Sequence, residues 1–488
     1  MPAHTASHPD TVIVIGASIA GLLAARVASR YASRVLVIDR DRLDDAEGPR
    51  GGVPQGRHVH GLLARGLDAL ERLFPGFAAD LDAAGAPHVE WMQQTRQRLP
   101  TGWMPVYPSG IVSRPITRPA LERLIRARVA ALPNVELRPR TEAVGLRVED
   151  GRVTGVHVHG RGSPPGGGPP LHETLACSLA IVAGGRALPA ESWLHALGCP
   201  PPPVTVIDPL LTYASRAYTL APEHQPDWRA VLVLTRPDQP IGGVFTQVEG
   251  GKWLFTLATV GQKTPPTDEA AFAAAAARFP APEFQRVFAH AVPASPIAGY
   301  TRTQNRFTHY ERVALPGGVF FLGDVVCAFN PVYGQGMTAA VLAAETLDRA
   351  LDAAYDDTAE GESGRFSAAA TRRFQRRLAR ALGDLWWMAT SEDRRYPHTR
   401  DGAGVVIGGR FTPIEGAQNR WLDWIFRAAV REQAAAQALL ETLHVLRSPY
   451  GLLTPAVAWA VLKTALFPPA PPPADAPTWT PPKRKAAR

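Results

Sequence analysis

Thr11-Val12-Ile13-Val14-Ile15-Gly16-Ala17-Ser18-Ile19-Ala20-Gly21 is the stretch whose reading decides the fold. β-branched residues run into a glycine, and a helical pattern begins straight after. This predicts a buried parallel strand turning tightly into a helix. Gly16 permits the turn, and Gly21 permits close approach of helix and strand. Ala17 lies within the turn, and the amides of the helix start face an anion, typically a pyrophosphate. Ser18 stands where G-x-G-x-x-G carries its middle glycine; it is small, and its hydroxyl can donate to a phosphate. Alone, the motif also fits a glycine turn in an ordinary α/β sheet.

The next apolar run, Arg34-Val35-Leu36-Val37-Ile38, ends in Asp39, 18 residues after Gly21, with Arg40 beside it. An acid there can accept hydrogen bonds from both hydroxyls of an adenosine ribose. Strand, glycine turn, helix, strand and acid together point to a dinucleotide site.

Composition sets bounds on the rest. A chain of 488 residues is long enough for two or three domains or one large composite. Net charge is +8, but Lys483, Arg484, Lys485 and Arg488 cluster at the end. No basic run is interleaved with aromatics, so the expectation is a solvated, arginine-rich surface and no nucleic-acid partner. The three cysteines, Cys177, Cys199 and Cys327, lack metal-ligand spacing and suit a reducing cytoplasm. Met1 to Asp10 is polar and does not read as a signal peptide. Gly451 to Phe467 is apolar but interrupted by Lys463; it reads as a packed helix, not a membrane span.

A Gly/Pro-rich loop, Gly48 to His60, follows the first βαβ unit. Its Arg57 is expected near a pyrophosphate. His58 and His60 have no third ligand nearby, so no metal is expected. Residues 85–115 read as β-rich. Thr117 then caps a helix with Pro119 in its first turn, which sets Arg118 at the helix start, facing a phosphate or polyol, or else as a surface arginine. Residues 135–158 read as strands and 160–170 as a mobile loop. Ser178 to Arg186 reads as another buried strand, and 204–260 as a separate sheet covering a pocket. In that sheet Val244-Phe245 and Trp253 to Leu257 suit either an apolar pocket or the core.

A second strand–turn–helix stretch is Gly318 to Asp324, followed by Asn330-Pro331-Val332-Tyr333-Gly334-Gln335-Gly336-Met337. Gly323 precedes Asp324, which can accept from a polyol. The helix opening at Gly336 and Met337, behind Pro331 and Gly334, offers amides to a developing negative charge. Two such sites suit a bipartite cofactor, with a pyrophosphate at one and a ring with a polyol tail at the other. That describes FAD. Residues 366–466 read as helical, and the tryptophan clusters at 386–387 and 421–424 as core.

These residues resemble the FAD-dependent monooxygenases of the aromatic-hydroxylase type, over most of the chain. The likeness rests on Gly16-x-Ser18-x-x-Gly21, Asp39, Arg118, and Gly323-Asp324 with Pro331 to Met337. Three further stretches resemble the squalene-epoxidase-like bacterial polyether epoxidases: Gly52-Val53-Pro54-Gln55-Gly56-Arg57-His58-Val59-His60, Ala328 to Met337, and Ala389-Thr390-Ser391-Glu392-Asp393-Arg394-Arg395-Tyr396-Pro397. The same flavin fold carries decalin-forming Diels–Alder cyclases that do not use its redox chemistry.

The resemblance implies an α/β, glutathione-reductase-type Rossmann FAD-binding domain (1–65, 105–185 and 305–365). It implies an inserted mixed-sheet substrate domain (66–104 and 186–304), a helical C-terminal region (366–468) and a disordered tail (469–488). It implies a monooxygenase that epoxidises or hydroxylates a large apolar intermediate, such as a polyketide, with O2 through a C4a-hydroperoxyflavin. Electrons would come from NAD(P)H or a separate flavin reductase. Backbone groups at Ala143 would face the adenine, and no catalytic side chain is named. One departure matters: the family's acid before the glycine near residue 184 is replaced by Val182 or Ala183, although Arg186 is kept. That loss puts direct reduction by NAD(P)H in question and leaves a non-redox cyclase, or a flavin-dependent dehydrogenase, as alternatives. The tryptophan motif of flavin halogenases is absent.

Overall fold

Strands of Val, Ile and Leu on both faces must be covered on both sides. In a computed structural model describing residues 10–44, 48–161, 172–356, 365–467 and 475–477, they form a five-stranded parallel sheet. Its strands are β1 (Thr11–Ile15), β2 (Arg34–Ile38), β3 (Val135–Arg138), β4 (Leu179–Val182) and β5 (Val319–Phe321), in the order β5-β4-β1-β2-β3. Ile15 pairs with Val182 on one side and Ile38 on the other. Helix α1 (Ile19–Ala28) packs between α2 (Arg118–Ala130) and α3 (Gln335–Asp356). Strand order reverses between β1 and β4, and a crevice opens beyond the strand ends at such a reversal. Of the loop expected over 160–170, residues 162–170 lie outside the described residues, as does the basic end of the tail.

The glycine turn is held by contact rather than by preference alone. Gly16 has φ +108°, and a Cβ there would lie 2.7 Å from the Ala183 carbonyl oxygen. A Cβ at Gly21 would fall on the Gly16 carbonyl oxygen.

A second, eight-stranded mixed sheet is built around Leu211–Thr219, Trp253–Val260, Ile241–Gln247, Ala230–Val233 and Thr95–Leu99. Its pleat resolves the ambiguity of the apolar runs, because successive residues point to opposite faces. Phe245 pairs with Phe255, and both are buried with Trp253 and Leu257 against Phe272 and Phe284 of the helices behind and Phe279 between those helices. Val244, Thr246, Thr256 and Ala258 alternate with them and face a cavity on the other side. Phe245, Trp253, Phe255 and Leu257 are therefore core, and their neighbours are the pocket. Val204–Asp208 leaves the expected sheet: it pairs with Asn305–Thr308 and Arg400–Asp401 in a four-stranded one.

Beyond α3 the chain is mostly helical: α4 (Ala368–Ala381), α5 (Gly383–Asp393), α6 (Pro413–Ala429), α7 (Gln433–Leu443) and α8 (Pro455–Leu466). Helix α4 packs on α3 and β5, whereas α6, α7 and α8 pack on one another. Among the described residues no helix is long and apolar enough to cross a membrane.

The contact at Gly21 gives a direct test. Gly21→Ala must part α1 from β1 and should cost about 2–3 kcal/mol, read as a lower melting temperature and soluble yield. At Gly336 a Cβ would meet nothing within 4 Å, so Gly336→Ala should fold like the wild type. Equal melting temperatures for all three proteins would contradict this account of the turn.

Candidate active site

The crevice beyond β1 and β4 is a cavity of about 220 Å³. Gly16, Ser18, Asp39, Arg40, Arg118, Ala143, Asp324, Pro331, Gly334, Gly336 and Met337 all line it, drawn from segments far apart in the chain. Asp39 follows β2 and Asp324 follows β5, three strand spacings away, a width of about 14 Å. Ala17, Gly21 and Gly323 stand behind this wall. The Ala17 amide donates to Asp39 Oδ2 at 2.7 Å, and Gly323 turns the chain with φ +74°.

Arg57 does not join them. It is exposed and absent from the lining, and Arg50, from the same loop, takes its place. The Arg50 guanidinium lies 3.1 Å from Asp39, 3.0 Å from Asp41 and 2.6 Å from Glu122. Glu122 also accepts from the Ser18 hydroxyl at 2.9 Å, and Arg118 donates to that same hydroxyl at 2.8 Å. The position of Arg50 depends on three carboxylates from two separate segments, a pattern with no local sequence signal.

The donors in this cleft fit a diphosphate ester. The α1 N-terminus has no side-chain cap, so its first amides remain open. Buried nitrogens of Arg50 (NH2) and Arg118 (Nε) make no hydrogen bond. At the far end the Asp324 carboxylate is 38% exposed, with Arg186 3.9 Å away. Arg186 spends its other donors on the carbonyls of Arg302, Gln304 and Phe329, at 2.9, 3.0 and 2.6 Å.

A larger cavity, about 470 Å³, lies beside the cleft. It is bounded by the pocket face of the mixed sheet and by α5, α6 and α7. Trp387 and Trp421, expected as core, line this chamber together with Met388 and Phe426. Val59, His60, Gly61, Pro331 and Gly334 belong to both linings, so the cavities meet along these two short segments.

Both segments are fixed from behind. His58 Nδ1 lies 2.7 Å from Ser215 Oγ, and the Val59 amide donates to Thr256 Oγ1 at 2.9 Å, which ties the loop to the mixed sheet. Burial lowers His58 to about 4 and, with Arg118 nearby, His60 to about 3, so both rings are neutral at pH 7. The Pro331–Gly334 segment is held by Asp393, at the end of α5. Its buried carboxyl accepts from Asn305 Nδ2 at 2.6 Å, from Asn330 Nδ2 at 3.0 Å and from Tyr333 OH at 2.7 Å. Burial raises this group from 3.8 to about 7 against those three donors. The Ala389–Pro397 motif therefore acts here as a clamp on a loop some 60 residues away in sequence.

No protein-family model matches the chain. Solved structures resemble it at low identity. The flavin-dependent brominase Bmp2 is 13% identical with a TM-score of 0.62, covering 94% of this chain and 99% of that one. PqsL from Pseudomonas aeruginosa, described as a probable FAD-dependent monooxygenase, is 17% identical with a TM-score of 0.56, covering 80% and 98%. The p-nitrophenol 4-monooxygenase PnpA from Pseudomonas putida DLL-E4 is 18% identical with a TM-score of 0.56, covering 90% and 99%. These likenesses show the fold, the one shared by FAD-dependent monooxygenases and halogenases. Protein Rv3254 from Mycobacterium tuberculosis is 35% identical over 363 residues, which span 70% of this chain and 73% of that protein. The chain belongs to the family of Protein Rv3254.

Proposed function

We propose that this chain is an FAD-dependent monooxygenase that oxygenates a large apolar molecule. The observation that carries the reading is the seam: a cleft with diphosphate-binding donors opens onto an apolar chamber at Val59–Gly61 and Pro331–Gly334. The α1 amides, Arg50 and Arg118 would hold the pyrophosphate, with Ser18 beside it once its hydroxyl turns from Glu122. Asp39 accepts from the adenosine ribose, Ala143 faces the adenine with its backbone, and Asp324 accepts from the ribityl chain. The amides of Gly336 and Met337 would stabilise negative charge on the ring system. Bound and reduced, FAD supplies O2 activation and transfer of one oxygen atom. The protein's own part is to orient the substrate at the seam and to keep water out with the chamber wall.

The finer reading is epoxidation or hydroxylation of a natural-product intermediate such as a polyketide, supported by the motifs around Gly52–His60 and Ala389–Pro397. One observation favours a second reading, a non-redox cyclase on the same fold. No acid stands at Val182 or Ala183, and Arg186 is committed to three backbone carbonyls.

Asp324→Ala removes the polyol acceptor without touching the sheet. It should purify with about a tenth of the wild-type flavin or less, read from absorbance near 450 nm against protein concentration. Full flavin content would remove Asp324 from the site. The clamp has its own signature. Folded protein holds a proton on Asp393 up to about pH 7, and the unfolded chain releases it near 3.8. That contribution to stability is therefore complete below pH 3.8 and is lost as pH rises through about 7. Asp393→Asn removes the dependence. Its unfolding free energy between pH 4 and 7 should change with a slope more positive than wild type by up to about 1.4 kcal/mol per pH unit. Identical slopes would mean that Asp393 ionises as freely in the fold as out of it.

A further inference from the structure

The wall of the larger cavity is mainly apolar, and among the described residues no lysine or arginine lines it. Its charged groups are Asp384 and Glu392. Uncharged polar groups also line it, and Ser113 Oγ and Gln335 Oε1 among them make no hydrogen bond; one polar group stands among leucines. His444, the residue after α7, is 1% exposed and shares the wall with Leu439, Leu440 and Leu443. The Ala64 amide donates to its Nδ1 at 3.2 Å. A ring nitrogen that accepts carries no proton, so the neutral imidazole carries it on Nε2. Burial lowers the group to about 4 and keeps the ring neutral. The Nε2–H is thus a buried donor, and it makes no hydrogen bond in the structure. Trp91 packs against the ring edge to face, with centroids 4.5 Å apart. Buried donors without partners are rare and destabilising, so each calls for a partner.

We infer that His444 is a substrate-recognition group of the chamber, with its Nε2–H donating to a carbonyl oxygen on an otherwise apolar, uncharged molecule. The inference rests on the reading above that this chamber takes the substrate. The orphan donor supplies an oxygen acceptor as the missing half. The absence of a lining cation and the presence of Asp384 and Glu392 select against a carboxylate. His444 does not line the cofactor cleft, so it acts on binding and orientation and leaves the oxygen-transfer step to the seam.

The test uses 2-decanone, decane and decanoate as probes on the full chain as purified, with tryptophan fluorescence as the readout. Wild type should bind the ketone about tenfold tighter than decane, the worth of one hydrogen bond in a dry site, and decanoate weakest. In His444→Asn the side-chain oxygen replaces Nδ1 and still accepts from Ala64, but the donor at Nε2 is gone. This variant should bind decane as before and lose the ketone preference. His444→Gln places an amide N–H near the Nε2 position and should restore part of it. A folded His444→Asn protein that keeps the preference overturns the inference. So does a wild type that binds ketone and alkane equally, since the indole face then already satisfies the donor. Wild type that binds none of the three probes overturns the chamber reading, and the inference with it. An independent check is imidazole 15N NMR, where a proton on Nδ1 instead of Nε2 overturns the assignment without any variant.

Discussion

The arrangement depends on one steric constraint: Gly21 must bring the first turn of α1 against the Gly16 carbonyl, where no Cβ fits. That contact sets the helix axis relative to β1. The Ala17 amide, just before α1, consequently reaches Asp39 across the strand ends, and Gly16 sits against Ala183, the residue after β4. The crevice at the strand-order reversal then acquires its floor from glycines and its donors from a helix terminus. Arg50, Arg118, Ser18 and Glu122 form a charged lattice above it, and one buried guanidinium nitrogen of each arginine makes no hydrogen bond there. Both arginines are ion-paired, Arg50 with Asp39, Asp41 and Glu122 and Arg118 with Glu122, but each keeps a buried N–H with no hydrogen bond, a donor left for an added acceptor.

The second organising feature is the seam. Two short segments, Val59–Gly61 and Pro331–Gly334, are all that the two cavities share. Each is held by groups that lie away from the cleft. Ser215 and Thr256 of the mixed sheet fix the first, and Asp393 of α5 fixes the second. The sheet and the C-terminal helices therefore do more than roof the chamber: they determine where its contents meet the cleft. Placing the clamp at Asp393 couples the geometry of that meeting to a single buried carboxyl that receives three donated hydrogen bonds.

What the sequence revealed and what it hid divide along one physical line. The glycine turn, Asp39 and Asp324 were legible because strand, turn and helix signals are local and sit within a few residues of one another. The Thr117 cap was legible for the same reason, and its side chain does accept from the Ala120 amide. Arg57 was misplaced because local order cannot say which arginine of a loop turns inward. Three distant or adjacent carboxylates pull in Arg50 instead. The chamber was legible only as an apolar tendency, since its wall comes from the alternate face of a sheet and from three helices. Phe245 and Val244 are neighbours in sequence and lie on opposite sides of that sheet. Trp387 and Trp421 carry the pattern of core aromatics, and helical spacing alone does not tell a face on the core from a face on a chamber. His444 gave no signal, as its meaning depends on one amide, Ala64, contributed 380 residues earlier in the chain.

The central claim is that this cleft holds a flavin that works by redox chemistry against the chamber. The most direct measurement follows the flavin absorbance of the purified protein without oxygen, first with NADH and NADPH, then with a separate flavin reductase. The account predicts a bound flavin that bleaches with at least one of these donors and recovers its colour when O2 is admitted. Protein that carries no flavin, or a bound flavin that stays oxidised with every donor, would contradict it; the latter result would make the cofactor a wall of the pocket and the chain a non-redox cyclase.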